Sequence, residues 1–213
     1  MKLHQQFAHP SKERLLKLIE NSKGFKEDDD LKDLIHEVSD ECEICERFKK
    51  PKPRPFVGMP LANQFNETVC MDLFEFEREP VKIWVLHFID AFTRRSNAVF
   101  VKTKKDTEIV KQVYATWIKH YRCPKKFLAD NGGEFANEKY KEMNEKLNIE
   151  VCHTAGESPW SNGMVERHNA VLEECLAKVI QDAKCDPESA LAWSVSAKNS
   201  LMNQDGFSPD QLT

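Results

Sequence analysis

Hydrophobic positions along the chain change period near residue 60. Before it, Leu15, Leu16, Leu18 and Ile19, then Leu31, Leu34, Ile35 and Val38, recur at helical spacing. After it, TVCMDLFEF (68–76), KIWVLHFIDAF (82–92) and SNAVFVKT (96–103) read as three successive strands. Residues 106–121 return to a helical period, 125–130 form a short buried strand, 135–147 are helical, and 150–154 give a fifth strand. Two helices follow, near 163–182 and 187–203. Three strands followed by alternating helices and strands predict an α/β layer around a mixed five-stranded sheet, preceded by a small all-α segment.

Between these regions lies RFKKPKPRP, residues 47–55, with three prolines and five positive charges. Proline spacing of this kind interrupts helix and favours an extended linker. The domain plan is therefore a helical segment over 1–46, a basic linker over 47–57 and an α/β core over 58–213. The chain of 213 residues, 40% hydrophobic and 31% charged, is long enough for a buried core, and no apolar run reaches membrane-spanning length. No membrane partner is expected.

The formal net charge of −4 does not announce a polyanion ligand, but its distribution is uneven. Residues 92–126 hold 10 basic and 2 acidic side chains, and residues 127–213 hold 7 and 15. Arg94, Arg95, Lys102, Lys104, Lys105, Lys111, Lys119 and Lys126 make the basic stretch either a solvated face or a strip that tracks phosphates.

Seven cysteines, an odd number, do not suggest a secreted disulfide framework. His4, His9, Cys42 and Cys45 follow the pattern H-x4-H-x32-C-x2-C. Two imidazoles and two thiolates fill the tetrahedral shell of a structural Zn²⁺. Metal binding then supplies folding free energy on the order of 10 kcal/mol to a segment otherwise short of core. His36 is a rival ligand. The remaining cysteines, Cys70, Cys123, Cys152, Cys175 and Cys185, sit in apolar contexts and are read as small core residues.

Three acids stand where acids are costly. Asp72 interrupts an apolar strand, Asp130 ends a strand before Asn131-Gly132-Gly133, and Glu166 lies in the first turn of the helix starting near Gly163. Glu166 is expected on the side of that helix shared with Asn169, Ala170 and Glu173, opposite the apolar stripe. Each acid alone fits a structural role. Together they offer hard oxygen ligands for two Mg²⁺ ions, or Mn²⁺, about 4 Å apart, an arrangement suited to in-line phosphoryl displacement.

Taken in order, LHQQFAHPS, CEIC, MDLFEF, DNGGEF and SPWSNGMVERHN resemble the segments of a retroelement integrase, the enzyme of retroviruses and long-terminal-repeat retrotransposons. The 35 residues between Asp130 and Glu166 match that family's spacing. The resemblance implies an RNase H-like catalytic core behind a zinc-binding helical domain. It further implies 3′-end processing and strand transfer of element DNA into target DNA in the nucleus. Asp72, Asp130 and Glu166 would be the catalytic, metal-binding triad, and double-stranded DNA and further copies of the chain the partners. Asn162 matches a position that contacts DNA in the family; Ser158 and Arg167 are candidates for phosphate contacts, Asn131 either orients a metal-bound phosphate or serves only its turn, and Lys102, Lys104 and Lys105 are candidates in the basic stretch. Ser161 or Asn162 can equally cap the following helix.

Two features depart from the family. Ala170 and Glu173 stand where members often carry basic residues one and two turns after the catalytic Glu. The chain also stops at GFSPDQLT, before a small β-barrel domain, which suggests a fragment or a decayed or domesticated copy. The competing expectations are a relic that binds DNA or protein without catalysis, and an RNA–DNA hybrid nuclease, which usually carries a fourth acid.

Overall fold

A computed structural model describes residues 2–22, 29–48, 62–78, 81–130, 132–153, 159–201 and 206–213. The chain divides into two compact units, Met1–Phe56 together with Leu172–Leu212, and Val57–Val171.

The second unit is built on one sheet. Strands β1 (Thr68–Arg78), β2 (Val81–Asp90) and β3 (Ser96–Val101) run antiparallel in sequence, and β4 (Lys126–Ala129) and β5 (Glu150–His153) add in parallel to give the order β3-β2-β1-β4-β5. The mixed sheet expected from the strand pattern is the one observed. Between β3 and β4 come α5 (Asp106–Val113), a π-helical stretch (Tyr114–Ile118) and α6 (Lys119–Tyr121), and α7 (Glu138–Lys146) joins β4 to β5.

Alternation along the strands separates two faces. Val69, Met71 and Leu73 of β1, Leu86 and Phe88 of β2, and Phe127 and Ala129 of β4 pack with Ile109, Val113, Trp117, Tyr140 and Met143 in the main core. The intervening residues Cys70, Ile89 and Leu128 look the other way and pack with Met164 and Val165 of α8 (Pro159–Ala183). Asp72, His87 and Asp130 share the parity of this second face.

The basic stretch begins with residues tied inward. Arg94 donates to the Ala91 carbonyl, while Arg95 donates to the Tyr121 hydroxyl at 2.9 Å and lies over its ring. The buried Asp90 carboxylate accepts from the Asn66, Phe92 and Thr93 N–H groups and the Thr93 hydroxyl. It is a fully bonded structural acid.

The first unit contains α1 (Lys2–Gln6), α2 (Lys12–Glu20), α3 (Asp29–Asp40) and α4 (Glu43–Arg47), with α8 from Leu172 onward, α9 (Pro187–Ser200) and α10 (Pro209–Leu212). The short helices α1, α4 and α10 escape a periodicity reading because each covers little more than one turn. Ala8 and His9 take φ values of 54° and 57° after α1, a conformation costly for side-chain-bearing residues. This left-handed turn folds His9 back until its ring lies 4.9 Å from that of His4, edge to face. On the opposite side of α1, Trp193 Nε1 donates to the Gln6 carbonyl at 2.6 Å.

Helix α8 begins at Pro159 rather than near Gly163, with proline at the first helical position, where its missing N–H costs nothing. Glu166 consequently sits in the second turn, and Ser161 and Asn162 lie inside the first turn rather than at its cap. Cys70 is buried as expected, whereas Cys123 is exposed because it follows the last turn of α6 on the surface. Among the described residues, no helix is long and apolar enough to cross a membrane.

Candidate functional site

Two clusters carry the chemistry, one in each unit. In the first unit, the ligand atoms of His4, His9, Cys42 and Cys45 all lie within 4.8 Å of one another. Among the described residues, this is the one group of three or more His, Cys, Asp or Glu side chains gathered closely enough to hold a metal ion. His9 Nδ1 stands 3.3 Å from Cys42 Sγ, and His4 Nε2 stands 3.3 Å from Cys45 Sγ. These are close to the roughly 3.5 Å that tetrahedral bonds of about 2.05 Å to nitrogen and 2.3 Å to sulfur impose.

His4, His9 and Cys42 are buried and Cys45 is half-buried. Burial, with help from His9 and Lys178, pulls the His4 pKa down to about 4, and burial lowers that of His9. Both imidazoles are therefore neutral at physiological pH, the form that ligates metal. Burial pushes the Cys45 thiol up to about 11. A cation would offset that cost by stabilising the thiolate. The donor set thus fits a metal ion. His36, on α3, is not in the group.

In the second unit, the three acids come from β1, the end of β4 and α8. The parallel pairing of β1 with β4 reaches Cys70 opposite Leu128. Two residues further on each strand are Asp72 and Asp130, so neighbouring strands deliver both acids at the same level and on the same face. Asp72 is half-buried; Asp130 and Glu166 are exposed. Burial raises the Asp72 pKa. Hydrogen bonds from the Leu73 N–H and Asn169 oppose the shift, while the negative charges of Asp130 and Glu166 add to it. The charges of Asp130 and Glu166 thus both bear on the Asp72 carboxylate. They are spread more widely than the His/Cys group.

The turn after β4 supports Asp130. Its Oδ1 accepts from the Gly132 N–H at 3.0 Å, and its carbonyl lies 3.2 Å from His153 Nδ1. A Cβ at Gly132 would meet Asp130 Oδ1 at 2.9 Å and the Glu134 carboxyl at 2.8 Å, so a larger residue there would have to displace both side-chain ends. The Glu134 carboxyl thus borders the same glycine as Asp130. The sequence motif DNGGEF contains this residue, but nothing in its spacing singled it out.

A second residue missed by sequence is Asn169. Helical phase set it on the open side with Glu166, whereas it is buried, at 8% exposure. Its Nδ2 donates to Asp72 Oδ2 at 2.5 Å, and its Oδ1 accepts from His87 Nδ1 at 2.7 Å. His87, cross-strand partner of Asp72, is fully buried, and its Nε2 accepts from Ser96 Oγ at 3.1 Å. The chain Ser96–His87–Asn169–Asp72 fixes the orientation of one triad carboxylate. A polar residue at helix phase i+3 from Glu166 was the available signal.

The expected DNA contacts are only partly described. Asn131 and Ser158 lie outside the described residues, and Asn162 is described only as backbone within α8. Arg167 is exposed on α8. Lys102, Lys104 and Lys105 are exposed between β3 and α5, but Lys104 is already engaged: its ammonium lies 3.8 Å from the centre of the Trp84 ring and 3.9 Å from Glu134.

Comparison with known proteins agrees with this geometry. Residues 62–159 match the integrase core domain family. That span includes Asp72 and Asp130 and ends before Glu166. The Gag-Pol polyprotein of koala retrovirus is 24% identical over 221 residues, covering 99% of this chain, and that of avian reticuloendotheliosis virus is 25% identical over 61% of it. The chain spans only 12% and 11% of those polyproteins.

Among solved structures, the HTLV-2 integrase catalytic core domain in complex with magnesium superposes with a TM-score of 0.62 at 20% identity, covering 70% of this chain and 97% of that one. The simian T-cell lymphotropic virus intasome, in complex with PP2A regulatory subunit B56 gamma, gives 0.71 at 18% identity, covering 99% of this chain and 70% of that one. Residues 62–159 are thus similar to the integrase core domain family, and the fold is that of the retroviral integrase structures.

Proposed function

We propose that the chain is an integrase-type polynucleotidyl transferase that trims the 3′ ends of element DNA and joins them to target DNA. The observation that carries this reading is the register of parallel β1 and β4, which brings Asp72 and Asp130 to one level on one sheet face, with the charges of Asp130 and Glu166 both adding to the upward shift of Asp72. Divalent metal ions held by these oxygens would neutralise phosphate charge and activate the attacking oxygen. Asn169 and the Leu73 N–H hold the Asp72 carboxylate in one orientation, which places its charge before substrate arrives. In the first step water attacks the phosphodiester near the element end and the 3′-oxygen leaves, taking up a proton. In the second, that 3′-hydroxyl attacks a target phosphodiester and displaces its 3′-oxygen in turn. The side chains position and neutralise rather than bond covalently.

The His4–His9–Cys42–Cys45 group would hold a structural Zn²⁺, with 1–46 as its domain, 47–57 as linker and 58–213 as catalytic core. The partners would be duplex DNA and further copies of the chain, since two element ends must be held together, and the work would take place in the nucleus. Solved relatives include dimeric and trimeric forms of an integrase core and an intasome. A second reading, a DNA- or protein-binding relic, is favoured by one observation: Ala170 is exposed and uncharged where members often carry a base.

A strand-transfer assay with a labelled duplex and Mg²⁺ or Mn²⁺ tests the proposal. Joining that disappears in Asp130→Asn is the expected result. DNA binding without cleavage would favour the relic, and hybrid-selective cutting the nuclease.

A further inference from the structure

The two imidazoles of the His/Cys group are not equivalent. An imidazole that ligates through one nitrogen carries a proton on the other, and that N–H needs an acceptor when buried. His9 faces Cys42 with Nδ1, and its Nε2 lies 3.1 Å from Asp182 Oδ2. His9 is 4% exposed, and the Asp182 side chain is 26% exposed. His4 faces Cys45 with Nε2, and its buried Nδ1 has no hydrogen-bond partner among the described residues. One imidazole is clamped from behind and the other is not.

Asp182 stands at the end of a stripe on α8. One turn earlier is Lys178, 7% exposed, and one turn before that is Glu174, whose carboxylate bonds the Lys178 ammonium at 2.9 Å. The Asp182 carboxylate behind His9 and the Glu174–Lys178 pair preceding it on the same helix stripe both come from α8. Nothing in the H-x4-H…C-x2-C pattern predicts them, because they lie more than 130 residues downstream in sequence.

We propose that the C-terminal part of α8 supports the metal site from behind, with Asp182 as the positioning residue that fixes His9 as an Nδ1 ligand. This rests on zinc binding by the four N-terminal residues. Outer carboxylates of this kind hold the ring in one tautomer and orientation and raise ligand basicity, and their loss typically costs 10–100-fold in metal affinity. The metal-binding segment and α8 are then one binding unit, although the sequence separates them.

The test uses the full 213-residue chain. Zinc affinity is measured by competition with a chromogenic chelator for the wild type, Asp182→Ala, Asp182→Asn and Glu188→Gln, the last an exposed α9 carboxylate removed as a charge control. Asp182→Ala is expected to bind zinc 10–100-fold more weakly than the control. Asp182→Asn, which keeps an acceptor oxygen, should recover part of the loss. In parallel, ¹⁵N spectra of the zinc-loaded wild type should show His9 metallated at Nδ1, with a slowly exchanging Nε2–H.

Equal affinity for Asp182→Ala and Glu188→Gln, or His9 metallated at Nε2, overturns the assignment of Asp182. A wild type that binds no zinc overturns instead the zinc reading on which it rests. Should Asp182→Ala fail to fold, the Asp182→Asn affinity and the wild-type tautomer still decide.

Discussion

The two clusters solve opposite problems. The His/Cys group is drawn together from the ends of short helices, is largely buried, and has its ligand atoms within 4.8 Å. Its donors are neutral unless a metal is present, so gathering them costs little repulsion. The Asp72–Asp130–Glu166 set comes from two strands and a long helix, leaves two of its members exposed, and keeps the three acids farther apart. Its donors are carboxylates, and the upward shift of Asp72 comes first from burial, with the charges of Asp130 and Glu166 adding to it. A closed donor set suits a structural ion, and an open one leaves room for substrate oxygens.

The sharpest way to break this contrast is metal removal. Chelation, or Cys42→Ser, should cost the first unit most of its metal-linked folding energy, on the order of 10 kcal/mol. Loss of far-UV helical signal that returns on zinc titration is the expected result. Asp130→Asn should do the reverse, lowering joining by roughly 10³-fold or more while leaving the melting temperature near that of the wild type. Proportional losses of stability and activity in both variants would erase the distinction.

Smaller effects probe how the open set is held. His87→Phe leaves the Asn169 carbonyl and the Ser96 hydroxyl without their buried partner. It should cost about 1–3 kcal/mol, read as a fall in denaturant midpoint. Asp72→Asn should instead raise the melting temperature, with a definite pH dependence. The native Asp72 holds its proton above the ordinary carboxylate value of 3.8. The folded state therefore binds more protons than the unfolded state in the window above that value, and wild-type stability falls as pH rises through it. The gap between variant and wild type should be absent below the window, open across it and stay constant at neutral pH. Lys104→Gln should matter least, within about 0.5 kcal/mol in stability. Because the ammonium already rests on Trp84 and Glu134, the salt dependence of DNA binding should change by less than the roughly 0.9 expected for a free phosphate contact.

The sheet was legible because β1, β2 and β4 alternate or run apolar over enough residues to state their period. The metal ligands were legible because Cys42 and Cys45 are a local pair and His4 and His9 flank one short turn. Asp72, Asp130 and Glu166 stood out as acids at unexpected positions; the β1–β4 pairing brings the first two to one level, while Glu166 comes from α8. What stayed hidden depends on long-range contact. Asn169 lies in a helix whose start was misplaced by four residues, and its burial follows from meeting Asp72 and His87, which no helical phase reports. Asp182 was invisible for the same reason: its partner is His9, at the other end of the chain. Arg94 and Arg95 misled in the other direction, since charge alone does not say whether a side chain meets solvent or a carbonyl.

The two glycines after Asn131 look interchangeable in the string GG, yet they have unequal freedom. At Gly133 an added methyl would meet nothing within 4 Å, whereas at Gly132 it would strike two carboxyl groups at once. One position can drift through many side chains without disturbing its surroundings. The other lies against the Asp130 and Glu134 carboxyls, so that an alanine there would have to turn those side chains aside, one of them a member of the open cluster.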